Sequence, residues 1–144
     1  MKLTLVIDPD REEEVVIYAR ERNETVDKIE QLICRKPAEL MGFQGEIATV
    51  LDYVKVCYFT VENDRVYACV GDQRYRVRQR LYQLEQSAPP EFVKIHQSCL
   101  ANTRQIARFE VAFSGALRVV FKNGDTDYVS RRNLKKVKER FGLR

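Results

Sequence analysis

The chain of 144 residues contains a single histidine, His96, and none of its four cysteines stands in a C-x-x-C pair. Cys34, Cys57, Cys69 and Cys99 lie at wide, irregular intervals. With one imidazole to complete a ligand set, that spacing argues against a metal site. Reduced, half-buried thiols of a cytoplasmic protein are the expectation. No apolar run approaches the roughly 18 residues of a membrane span. The apolar opening, residues 3–7, is cut short by Asp8-Pro9-Asp10-Arg11, well before the h-region of a secretion signal. Internal repeats and low-complexity tracts are absent, as are Walker-type, G-x-G-x-x-G, H-E-x-x-H and G-x-S-x-G motifs. His96, Ser98 and Cys99 are close in sequence, but on one continuous strand His96 and Cys99 would point to opposite faces. Neither an enzyme nor a bound cofactor is expected.

What is present is a contrast of charge. A composition of 44% apolar and 32% charged residues suits one compact domain, or one domain with a small appendage. Residues 1–50 hold seven Lys/Arg against eleven Asp/Glu, whereas residues 51–144 hold eighteen against ten. The basic part points toward a polyanion, most often nucleic acid, although any one run of lysines is more often a solvated face.

Hydrophobic patterning divides the chain in the same way. Residues 1–45 read as an acidic strand-strand-helix segment. Its strands are Lys2–Ile7 and Val15–Ala19. Its helix starts at an N-cap near Thr25, repeats Val26, Ile29, Leu32 and Ile33, and ends at Arg35 before Pro37. Met41–Gly45, with two glycines and no periodicity, reads as a link. From Glu46 to Arg144 short β-branched and aromatic runs alternate with turn signals. The expected strands are Val56–Glu62, Arg65–Val70, Gln73–Val77, Phe92–His96, Ile106–Phe113, Ala116–Lys122 and Asp125–Val129, with Asn123-Gly124 as a type I′ hairpin turn. In the run 117–122, Leu117, Val119 and Phe121 share one face. Two helices interrupt the strands. Arg78–Ser87 points Leu81 and Leu84 inward, and residues 131–141 follow an N-cap at Ser130, with Leu134, Val137 and Phe141 on one stripe and Gly142 as C-cap. The fold class is therefore mainly β, α+β.

The last helix carries Arg131 and Arg132 in its first turn, where cations oppose the helix dipole. A sequence tuned for stability alone would place acids there, so the placement suggests arginines aimed at phosphates or at guanine edges. Lys135, Lys136, Lys138 and Arg140 continue the charge and suit phosphate contacts, though each also suits a solvated surface. Gln97 and Ser98, with Asn102, Thr103 and Arg104, form a second polar cluster of types that bond base edges and phosphates, or simply form turns. A lone histidine such as His96 is more often structural than a ligand or a pH switch.

Two segments together carry a family resemblance. Phe92-Val93-Lys94-Ile95-His96-Gln97-Ser98-Cys99-Leu100-Ala101-Asn102 resembles the central motif of LytTR DNA-binding domains. Asn123-Gly124 followed by Val129-Ser130-Arg131-Arg132-Asn133-Leu134-Lys135-Lys136 resembles that family's C-terminal signature, in the same order and spacing. Tyr58-Phe59 and the Leu81/Leu84 helix also fit, so the resemblance covers about residues 46–144.

The resemblance implies an elongated antiparallel β-sandwich of small sheets with short helices, preceded here by the short β-β-α segment. In that family, loops rather than an inserted helix read successive major grooves of double-stranded DNA at tandem sites, with a homodimer assembled on the DNA. Carried over, the base-reading positions fall at Asp64 or Arg65, at Gln97 and at Arg132. Ser98, Asn102, Arg104, Ser130, Arg131, Lys135 and Lys136 fall to the backbone. Two departures stand out: relatives often have a basic residue or histidine where Asp64 stands, and an asparagine or basic residue where Gln97 stands.

The chain has no room for the receiver domain most relatives carry. Its N-terminal part resembles that of stand-alone LytTR regulators, which are commonly paired with a small membrane protein, so residues 1–45 suit dimerisation, partner binding or a plain extension of the sandwich. The alternative function is a protein-interaction or signal adaptor that keeps the fold and binds DNA weakly. A weaker one is an RNA-binding β domain, for which Tyr58, Tyr67 and Tyr75 are the available stacking residues.

Overall fold

The computed structural model describes residues 2–34 and 39–143 and divides into two compact units, Met1–Lys36 and Pro37–Arg144. In the first unit, residues 2–22 form neither strand nor helix. The strands expected at Lys2–Ile7 and Val15–Ala19 are absent. Alternation alone does not hold a strand pair, because two strands need a third or a covering face to be stable in water; here Leu3, Leu5, Ile7, Val15 and Tyr18 are exposed. The helix does form, as α1 (Glu24–Cys34), and the cap is Asn23 rather than Thr25: its Oδ1 accepts from the Val26 N–H at 3.0 Å. The expected end at Arg35 lies outside the described residues.

The second unit begins its regular structure before Glu46. Residues 41–45, expected as a link, are strand β1 (Leu40–Gln44) and the first turn residue before β2 (Ile47–Leu51). Gly45 takes the turn's positive φ of 57°. Gly42 serves packing, since a Cβ there would stand 2.6 Å from both Leu51 and Tyr75.

β3 (Val56–Glu62), β4 (Arg65–Val70), β5 (Gln73–Val77) and β6 (Phe92–His96) fall where the period-2 pattern places them. β7 (Cys99–Asn102) is an additional strand in the polar cluster, wholly buried. β8 (Ile106–Val111), β9 (Leu117–Phe121) and β10 (Thr126–Val129) are one or two residues shorter than the pattern suggests. The helices are α2 (Leu81–Ser87), three residues shorter at its start than expected, and α3 (Arg131–Phe141).

All pairings are antiparallel, in a seven-stranded sheet of order β2-β1-β5-β4-β3-β7-β6 and a three-stranded sheet β10-β9-β8. Alternation divides the large sheet's side chains between two cores. Leu40, Phe59, Val66, Ala68, Val77 and Leu100 meet Leu81 and Leu84 of α2 on one face. On the other, Ile95, Cys99 and Ala101 pack with Leu117, Val119 and Phe121 of β9 and with Val137 of α3. Bulges at Cys57 and Ile95 locally break the strict alternation. The Asn-Gly turn is not type I′, because only Gly124 has a positive φ (93°) and its N–H donates to Phe121 O. The turn with both φ positive is Asn63-Asp64, at 50° and 62°.

Candidate nucleic-acid interface

Chain reversals set the site. The β3–β4 turn is Asn63-Asp64 and the β6–β7 turn is Gln97-Ser98. Because β3 pairs with β7, both reverse at the same end of the sheet, and the Val61 N–H donates to Ser98 O at 3.0 Å. The entry to α3 joins them, since the Ser130 N–H donates to Ile95 O at 2.8 Å. Asp64, Arg65, Gln97, Arg131 and Arg132 thus gather at one end of the sandwich, all exposed. No carboxylate pairs with Arg65, Arg131 or Arg132 among the described residues, while Asp64 puts one acid at the tip of its turn.

Two of these elements are locked together by His96. Its Nδ1 accepts from the Ser98 N–H at 3.1 Å and its Nε2 lies 2.9 Å from Asp127 Oδ2. With Nδ1 accepting, Nε2 carries the proton and donates to the carboxylate. Asp127 Oδ1 in turn accepts from the Tyr128 N–H at 2.8 Å, two residues before Ser130. Burial alone would raise the Asp127 pKa, but hydrogen bonds from His96, the Tyr128 amide and Cys99 outweigh it and hold the carboxyl below its ordinary value. The Gln97-Ser98 turn and the start of α3 therefore share one support.

His96 and Cys99 do not point to opposite faces. The turn between them makes them cross-strand partners, and the bulge at Ile95 brings His96 to the Cys99 side. Ligand atoms of His96, Cys99 and Asp127 lie within 4.8 Å of one another, the one such grouping among the described residues. Each is already engaged internally. Burial pushes the Cys99 thiol well above its usual pKa, so it is a poor nucleophile and holds its proton against a metal. Cys57 and Cys69 are likewise buried and raised by burial. Burial, then hydrogen bonding with Cys69 and Asp125, also keeps the Tyr58 phenol well above its ordinary value, with its O–H donating to Asp125 at 2.8 Å.

Two residues assigned to the DNA backbone lie elsewhere. Asn102 is 2% exposed. Its Nδ2 donates to Val56 O at 2.9 Å and to Tyr53 O at 3.4 Å, and its Oδ1 accepts from the Arg104 N–H at 3.1 Å. It is an internal pin, not a surface contact. Arg104 follows it at the opposite end of β7 from Gln97 and reaches toward Glu91 at 3.6 Å.

Ser130 stands at the N-cap of α3 but makes no side-chain cap bond; its Oγ accepts from Asn133 Nδ2 at 2.8 Å. Lys135 and Lys136 are exposed on α3, which runs back along β6 until Arg140 donates to Pro90 O at 2.8 Å. The sequence reading missed Asp127, whose only signal is that a half-buried histidine needs a partner.

The family model of the LytTr DNA-binding domain matches residues 48–142. An uncharacterized HTH-type transcriptional regulator of Staphylococcus aureus (strain NCTC 8325 / PS 47) is 30% identical over 146 residues, spanning 99% of both chains. The corresponding regulator of strain COL matches equally. A solved LytTr DNA-binding domain from Bacillus cereus, described as that of a methyl-accepting/DNA response regulator, superposes with a TM-score of 0.69 at 16% identity. It covers 74% of this chain and 99% of its own. The relatives' names speak of a helix-turn-helix, whereas α2 and α3 here are separated by strands β6 to β10.

Proposed function

The chain belongs to the LytTR DNA-binding domain family, and from that membership we propose that it is a sequence-specific transcription regulator reading DNA through loops. The convergence of the Asn63-Asp64 turn, the Gln97-Ser98 turn and the α3 entry on one end of the sandwich carries this reading. Each presents an exposed side chain suited to a base edge: Arg65 and Arg132 to guanine, Gln97 to adenine. Arg131, Lys135, Lys136, Ser98 and Ser130 supply phosphate contacts around them. Three reading elements in a row suit successive major grooves of a double-stranded, tandem site, occupied by two copies of the chain.

Selecting bound duplexes from a random pool at physiological salt tests the reading and yields the site. Arg132→Ala should then lower specific affinity by about 1–3 kcal/mol and relax base choice at its position, while Lys135→Ala should weaken all sequences alike and reduce the salt slope by about one. A selected pool no different from its input overturns specific recognition.

The exposed apolar side chains of residues 2–22 and the acid at Asp64 favour a second reading, an adaptor that joins a small membrane protein and binds DNA weakly. Salt-insensitive association with such a partner, without a shift of any selected duplex, would support it.

A further inference from the structure

On the face of the seven-stranded sheet that carries the three-stranded sheet, no side chain of β1 or β5 belongs to the second core. That bare part is basic. Arg74 and Arg76 of β5 alternate onto it, and Arg78 continues the stripe just past the strand's end. With Arg65 and Tyr67 of β4 and Phe43 of β1 they line a groove of about 640 Å³.

The four arginines are not equivalent. Arg74 is committed, 2.9 Å from Glu62 and 4.7 Å from the Tyr67 ring centre. Arg65, Arg76 and Arg78 form no ion pair among the described residues, and the Arg78 guanidinium stacks 4.4 Å over Phe43. Stability does not call for this pattern, since like charges on one strand face repel and an exposed sheet face is usually served by mixed signs. Position gives it sense. Val77 pairs with Val66, so Arg76 and Arg78 lie at the same end of the sheet as the Asn63-Asp64 turn, one strand further out. Alternate residues on a strand stand about 6.8 Å apart, close to the distance between neighbouring phosphates of one DNA strand. A stacked guanidinium, held flat with its donors free, is suited to bidentate bonding of phosphate oxygens.

We propose that Arg76 and Arg78, next to the base-reading Arg65, form a phosphate-binding stripe that grips the DNA backbone beyond the first hairpin and lengthens the footprint past the three reading elements. The proposal rests on the DNA-binding reading above, and its test separates the two.

The full chain and its Arg76→Gln/Arg78→Gln variant are titrated with the selected duplex and with a scrambled one at several salt concentrations. Two lost phosphate contacts reduce the slope of log K against log salt by about two. Between 50 and 200 mM salt the wild-type affinity then falls about tenfold further than the variant's. Base preference stays as in wild type, and matching far-ultraviolet dichroism and melting temperature establish that the variant is folded. Trimming about 5 base pairs, half a helical turn, from the flank beside the first hairpin should weaken the wild type and leave the variant nearly unchanged. Equal slopes and equal sensitivity to trimming overturn the stripe. If neither protein prefers the selected duplex, specific reading fails, and the slope on scrambled DNA still decides the stripe.

Should the double variant melt lower, Arg76→Lys serves instead. It keeps the charge but loses the fork, and should keep the slope while weakening binding. A slope reduced in Arg76→Lys as much as in Arg76→Gln overturns the charge-based account.

Discussion

At Asn102 one buried amide holds the carbonyls of Tyr53 and Val56 and accepts the Arg104 N–H, so three elements meet on a single side chain. Asn102→Ala removes the Nδ2 donor from Val56 O and the Oδ1 acceptor from the Arg104 N–H, while Tyr53 O keeps the Val56 N–H; the cost is about 1–3 kcal/mol for each group left unpaired. Urea unfolding should show a midpoint well below wild type, while folded protein at low temperature should keep its base preference; altered preference with unchanged stability would return Asn102 to the DNA. Asp127 gives a prediction in pH. Its native carboxyl titrates below the ordinary value, so its stabilising contribution is complete above the ordinary carboxylate range and is lost as pH falls through the lower native value. Asp127→Asn should therefore be less stable than wild type near neutral pH, and the gap should narrow as acid is added, as urea midpoints across that range would show. Chemistry-bearing residue types were legible in the sequence at Gln97 and Arg132, which stand exposed at one end of the sheet. Asn102 was not, because an amide that suits adenine also suits two backbone carbonyls, and only burial tells them apart.

Elements differ in how plainly they are written. β3, β4 and β5 were legible because period-2 alternation and tight-turn residues agree there, and α3 because its apolar stripe ends on a glycine, Gly142, in the left-handed region at a φ of 65°. β1 was hidden because Gly42 breaks its pattern. It is glycine for the sake of Leu51 and Tyr75, residues nine and thirty-three positions away. Gly42→Ala should destabilise by about 1–3 kcal/mol through overpacking, and proteolysis should cut first in the β1–β2 hairpin. Unchanged melting would mean that the hairpin tolerates displacement. Residues 2–7 and 15–19 show the reverse failure, since alternation there meets no partner strand among the described residues. β7 escaped notice because its four residues include only one large apolar side chain, Leu100, and a polar one that is buried.

At the scale of the whole molecule, the boundary at Lys36/Pro37 separates a short unit with much exposed apolar surface from one that contains both cores. A chain beginning at Pro37 should keep the wild-type fingerprint of amide resonances for residues 40–142 and bind the selected duplex in single-site form. If it unfolds, the first unit belongs to the fold after all. The acidic composition of residues 1–50 and the basic remainder were visible from the start, but net charge carries no address; the arginines of β5 acquire one only when pairing sets them beside the first hairpin.

The bridge from the Ser98 amide through His96 to Asp127 has a mechanical consequence. Two of the three proposed reading elements are tied to each other, and the third is tied to the same sheet through Val61 and Ser98, so the hydrogen bonds between them resist any change of their spacing. On the proposed reading, misfit between that spacing and straight B-form DNA falls mainly to the DNA. Selected sites should accordingly be enriched in pliant pyrimidine–purine steps between the positions that are read, at base pairs the protein does not touch. Loosening the tie with His96→Ala should blunt that enrichment before it blunts the contacts themselves.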